Sequence, residues 1–157
     1  MRPTLERAMA EHGKSVFAAA FSLLKCREDA EDVVQDTFLT YYTGKKEFES
    51  EAHLRSWLLR VAVNRAKDLL KAASRQRNVP LEDDPGAAVF PNNESRELFR
   101  AVTALPEIYR IAVHLHYYED YSVREIARIL RLPQATVKTR LFRGRQLLRQ
   151  SLGEEPK

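Results

Sequence analysis

Cysteine is nearly missing from this 157-residue chain, which carries one, Cys26. An intramolecular disulfide and a cysteine-built zinc site are therefore excluded, and a reducing compartment suits the sequence. Glycine is scarce too: 5 Gly and 7 Pro, without the regular punctuation of short strands, argue against sandwiches and for helices. No apolar run approaches the roughly 20 residues that span a bilayer. The opening MRPTLERAMAEHGK has no apolar signal core, so a cytoplasmic protein without membrane insertion is expected. The length excludes large catalytic barrels and allows one ordinary domain or two small units. Apolar and charged residues are plentiful, at 44% and 31%, enough for a buried core under a highly charged surface.

That charge is unevenly placed. Lys plus Arg exceed Asp plus Glu by only 26 to 22, yet Arg124–Arg149 holds eight basic residues and one acid, Glu125, a local net of +7. A polyanion is the natural partner of such a stretch.

Apolar periodicity predicts an all-α chain in two small helical domains joined by a flexible linker. Val16, Phe17, Ala20, Phe21 and Leu24 recur at helical spacing and predict a helix over Leu5–Leu24, weakly interrupted by Gly13. Acids at Glu28, Asp29, Glu31 and Asp32 suit the start of a second helix, from about Glu28 to Tyr42. Leu54, Trp57, Leu58, Val61, Ala62, Leu69 and Leu70 mark a third, roughly His53 to Ala73. Residues 1–73 thus form the first domain. Residues 74–94, with Pro80, Pro85, Gly86 and Pro91 and no sustained period, read as linker. The second domain, 95–157, opens with stripes Leu98, Val102, Leu105 and Ile108, Ile111, Ala112, Leu115, the latter after Pro106, which suits a first helical turn.

The most informative stretch is Tyr121–Leu148, which has the pattern of a helix-turn-helix. Ser122 and Glu125 make a capping box, each side chain satisfying a backbone donor at a helix start. Val123, Ile126, Ala127 and Leu130 form its buried face; Arg131, Leu132 and Pro133 make the turn. In the second helix Val137 and Leu141 pack inward, Gln134, Thr136, Lys138, Thr139 and Arg140 face outward, and Arg143, Arg145 and Arg149 can reach phosphates. Each feature alone fits a merely solvated basic helix. Together they favour duplex DNA.

The string ALPEIYRIAVHLHYYEDYSVREIARILRLPQATVKTRLFRGRQLLR resembles region 4 of the extracytoplasmic-function sigma factors, the short alternative specificity subunits of bacterial RNA polymerase. REDAEDVVQDTFL resembles their region 2.2, and LRSWLLRVAVNRAKDLLK their regions 2.3 and 2.4, in the same order. The likeness covers nearly the whole chain. Two departures concern turns: Lys25 and Cys26 stand where Gly or Asn is usual, and Arg131 occupies a turn position where a small residue is frequent and a left-handed backbone costs Arg more than Gly.

The resemblance implies a sigma factor that binds core RNA polymerase and directs promoter-specific initiation, with no catalysis, cofactor, metal or small-molecule substrate of its own. Its partners would be the beta-prime clamp helices and beta flap of the polymerase, promoter DNA, and an anti-sigma factor. Docking on the clamp helices maps to Asp32, Gln35, Asp36, Thr37 and Phe38, with Phe38 equally a candidate for the core. Capture of the minus-ten element as single strand maps to the loop from Lys45 to His53 and the helix after it, with Phe48, Arg55, Arg60, Asn64, Arg65 and Lys67; Trp57 is assigned to the core. Arg75 and Arg77 can track phosphates or keep the linker soluble. The minus-thirty-five duplex falls to Gln134, Thr136, Lys138, Thr139, Arg140 and Arg143. His114 and His116 lack a third ligand and are packing or surface residues. A stand-alone dimeric helix-turn-helix regulator explains only the end of the chain. A small enzyme built on Glu28, Asp29 or the His pair lacks a supporting constellation.

Overall fold

The computed structural model of the chain describes residues 1–76 and 93–153, and the side chains of all of these except 73–76 and 93–96. The chain divides into two compact units, and the described residues form helices joined by short loops, with no strand among them. No described helix is long and apolar enough to cross a membrane.

The first unit is three helices, α1 (Leu5–Leu24), α2 (Arg27–Thr43) and α3 (Glu51–Gln76), each packed on the other two. Thr4 caps α1 by accepting the Arg7 amide at 3.2 Å, and Lys25 ends it in the left-handed region at φ 56°. The sequence's departure at this turn therefore leaves the tight reversal intact at the expense of a strained lysine. Cys26 offers α2 no side-chain cap, and Glu28 and Asp29 answer the positive end of the helix instead. Ser50 receives the His53 amide at 3.1 Å and starts α3. Alanines 19, 20, 30, 62 and 66, all inaccessible, let the helices approach closely, while Leu23, Leu54, Leu58 and Leu59 fill the space between them.

The second unit comprises α4 (Asn93–Thr103), α5 (Glu107–Val113) continued by a π-helical turn over His114–Tyr118, α6 (Val123–Leu130) and α7 (Gln134–Ser151). Its core is Val102, Leu105, Ile111, Val113, Leu115, Ile126, Ile129, Leu130, Val137 and Leu141. Arg110 is buried and donates to the Leu105 and Thr103 carbonyls at 2.6 and 3.3 Å, closing the end of α4; burial pulls its pKa below the usual arginine value. At Gly144, α7 comes so near α5 that a Cβ would stand 2.7 Å from Val113 Cγ2.

Several boundaries differ from expectation. Of the span 74–94 read as linker, both ends are helical, α3 running to Gln76 and α4 starting at Asn93; residues 77–92, Arg77 included, lie outside the described residues. Pro106 and Pro133 stand as caps one residue before their helices rather than inside the first turn. In α6 Ile129 joins the core while Val123 is half-exposed. Leu98 and Ile108, expected on buried stripes, are exposed.

Candidate polymerase and nucleic-acid interfaces

On α2 the structure separates the five residues expected to dock. Asp32 and Gln35 are exposed. Asp36 is half-exposed, and its Oδ2 accepts from Arg65 Nε at 2.9 Å. Thr37 is fully buried with its hydroxyl donating to the Val33 carbonyl at 2.7 Å, and Phe38 is 3% exposed. Neither can meet a partner, and both are core residues: α1 and α3 claim the face of α2 made by Ala30, Val33, Thr37, Phe38 and Tyr41. The opposite stripe carries two apolar residues not singled out from sequence, Leu39 at 59% and Tyr42 at 66% exposure. With Asp32 and Gln35 they recur at three- and four-residue intervals, one continuous acidic-to-apolar face.

Phe48 also turns inward. At 2% exposure it stacks on Tyr41 with centroids 6.0 Å apart and meets the edges of His53 and Trp57 at 5.3 and 5.5 Å, so it anchors the loop between α2 and α3 rather than gripping a base. Trp57 is half-exposed on this cluster. Helical phase brings Arg60, Asn64 and Lys67 onto one face of α3, Asn64 exposed and the other two half-exposed. Arg65 is turned toward Asp36, and half-exposed Arg55 lies on another side of the helix. Lys45 and Lys46 are exposed in the loop.

In the second unit the capping box is formed, with both Ser122–Glu125 bonds at 3.1 Å. Arg131 takes the left-handed conformation that ends α6 (φ 56°, ψ 51°), and the Leu132 amide reaches back to the Ala127 carbonyl at 2.9 Å. Val137 and Leu141 are buried, which turns the rest of α7 outward: Gln134, Lys138, Thr139 and Arg143 are exposed, Thr136 and Arg140 half-exposed. Phe142, 55% exposed, stands among them. The spacing Val137, Leu141, Leu148 leaves Phe142 off the buried stripe, a signal already present in the sequence. Ile108 and Tyr109 of α5 line a shallow depression with Thr136, Thr139, Arg140 and Arg143. Behind α7 lies an apolar groove lined by Leu98, Val102, Tyr117, Leu148 and Leu152, with Arg145 and Arg149 beside it; Arg145 also donates to the Tyr117 hydroxyl at 2.9 Å.

His114 and His116 have separate partners, Glu119 Oε1 at 3.4 Å and the Tyr121 carbonyl at 2.8 Å, and share no site. One group of metal-type ligands occurs among the described residues, Glu11, His12 and Glu51, whose atoms lie within 4.8 Å of one another. Arg7 already pairs with both carboxylates, at 3.0 and 3.1 Å, and holds the Glu11 carboxyl below its usual pKa; the cluster reads as an ion-pair tie from α1 to the start of α3.

Comparison with known proteins gives two family models in the order of the two units: sigma-70 region 2 over residues 8–76, and sigma-70 region 4 over residues 95–148. An ECF RNA polymerase sigma-E factor of Haemophilus influenzae is 34% identical over 139 residues, covering 78% of this chain and 74% of the relative. The ECF RNA polymerase sigma factor SigM of Mycobacterium tuberculosis is 32% identical over 159 residues, covering 97% and 79%. Among solved structures, the sigma factor RpoE of Bartonella quintana, in complex with the anti-sigma factor NepR, shares the fold at a TM-score of 0.79 and 23% identity, covering 96% of this chain and 98% of that one. CnrH, in complex with the cytosolic domain of CnrY, matches at 0.69 and 26%, covering 95% and 87%.

Proposed function

The chain belongs to the ECF sigma factors of the sigma-70 family, transcription initiation factors of RNA polymerase, and from that membership we propose that its two units divide the work of placing polymerase on promoters. The first unit docks on the beta-prime clamp helices through Asp32, Gln35 and Asp36, with Leu39 and Tyr42 as the apolar anchors that an interface needs at its centre. Its loop and the Arg60, Asn64 and Lys67 face of α3, with Arg55 and Arg65 nearby, take the minus-ten element as single strand; the bases gain amide and cationic contacts that offset unstacking. The second unit reads the minus-thirty-five duplex. Gln134, Thr136, Lys138, Thr139 and Arg140 supply donors and acceptors for base edges, Phe142 an apolar contact for a thymine methyl, and Arg143, Arg145 and Arg149 charge for phosphates. The groove behind α7 suits the beta flap. An anti-sigma factor of the kind seen with RpoE is a further partner. The protein works in the cytoplasm, and the chemistry is the polymerase's.

The observation that carries this reading is the outward face of α7, a polar and basic strip with one exposed aromatic, on a helix that follows the capped α6 across the left-handed turn at Arg131. Size-exclusion chromatography tests it: the chain migrates as a monomer alone and joins core polymerase on mixing. Asp36→Arg, which reverses charge on the docking face and sets it against Arg65, reduces that association without unfolding the chain. A stable dimer indifferent to polymerase contradicts the reading.

A further inference from the structure

The loop between α2 and α3 is held from outside the bundle. The Arg2 guanidinium donates to three carbonyls at once: Lys46 at 2.5 Å, Gly44 at 2.6 Å, and Tyr41. Its carbon lies 4.6 Å from the centroid of the Tyr41 ring. The Tyr41 hydroxyl donates to the Pro3 carbonyl, and the Phe48 amide to the Met1 carbonyl at 3.0 Å. Residues 1–3 therefore clasp the loop at both ends, with Phe48 plugged into the aromatic cluster beneath it.

We propose that Arg2 is a positioning residue for strand capture: it fixes the backbone of the 44–48 segment, with the exposed Lys45 and Lys46, in the form that receives the unpaired minus-ten strand. The proposal rests on the assignment of this loop to the minus-ten surface. Its physical basis is preorganisation. A loop ordered before binding spends none of the binding free energy on its own ordering, and a planar fork of donors is the side chain suited to gathering several carbonyls. Tyr41 O and Gly44 O also belong to the end of α2, where carbonyls lack helical partners, so a cation there is favoured by the helix dipole as well. Arg2 meets the bundle core at its edge, on Tyr41, while Val16, Val33, Leu54, Leu58 and Leu59 fill the centre.

The test uses holoenzyme reconstituted from core polymerase and the full chain, with a pool of random-sequence single-stranded oligodeoxynucleotides as probe; the bound fraction is sequenced and the enriched strand remeasured with its single-base variants. Arg2→Ala weakens binding of the enriched strand about tenfold, a loss of roughly 1.4 kcal/mol. It also flattens the ranking of the single-base variants, while polymerase affinity and the thermal midpoint of the free chain stay at wild-type values. Arg2→Lys, which keeps the charge without the fork, falls between the two. Wild-type binding and ranking by Arg2→Ala overturns the proposal, as does a joint fall of thermal midpoint and polymerase affinity, which marks a merely structural role. The combined variant Lys45→Ala, Lys46→Ala, Asn64→Ala separates the two levels: if it weakens strand binding while Arg2→Ala does not, only the role of Arg2 fails; if neither does, the assignment of the loop fails with it.

Discussion

Phe142 is out of place on its helix: a phenyl ring held in water among Lys138, Thr139 and Arg143. Its removal leaves the folded state nearly untouched, since an exposed side chain far from the core contributes within about 0.5 kcal/mol. Phe142→Ala is expected to keep the unfolding midpoint and to weaken duplex promoter binding by on the order of 1 kcal/mol. Replacing thymine by uracil in the upstream element identifies the contact: wild type loses affinity and Phe142→Ala does not. Wild-type indifference to every such replacement contradicts the assignment. Thr37 and Phe38 show why α2 was harder to read than α7. Phe38 and Leu39, like Tyr41 and Tyr42, are adjacent pairs of similar polarity about 100° apart on the helix. Periodicity cannot choose which of each pair faces in; contact with α1 and α3 chooses, and buries Thr37 with its hydroxyl bonded back to Val33.

At the scale of elements, the readable features were the local ones. A capping box is a relation between residues three apart, and the Ser122–Glu125 pair needs no distant partner to form. The left-handed turn at Arg131 was likewise legible as a position where a residue with a Cβ is strained. The π-helical turn was not, because Ile111, Ala112 and Leu115 continue a helical spacing and nothing local marks the wider winding. It closes where Asp120 goes left-handed and His114 and Glu119 are buried together, consequences of tertiary packing. With 8 residues, α6 is too short to be stable by itself and relies on its cap and on α7. Ser122→Ala should therefore cost about 1 kcal/mol. The lone tryptophan, Trp57, reports the first unit, so the expected result in urea is an earlier loss of far-UV circular dichroism with an unchanged Trp57 fluorescence transition. Equal shifts of both signals contradict this division.

For the whole molecule, two small units are joined in one chain, and neither reader needs high affinity alone when both are carried by one polymerase. The order of sequence blocks made this organisation legible, and the matched regions agree with it. Which side chains stay exposed was less so, since exposure is set by packing: Leu39, Tyr42 and the Arg2 clasp emerge only from the folded chain. The most direct measurement is to sequence the transcripts made by core polymerase on genomic DNA with and without the purified protein. The expected result is a set of start sites that appear only with the protein and share two upstream sequence elements, the farther of which loses its influence in the Lys138→Ala, Arg140→Ala double variant. An unchanged set of start sites would contradict it.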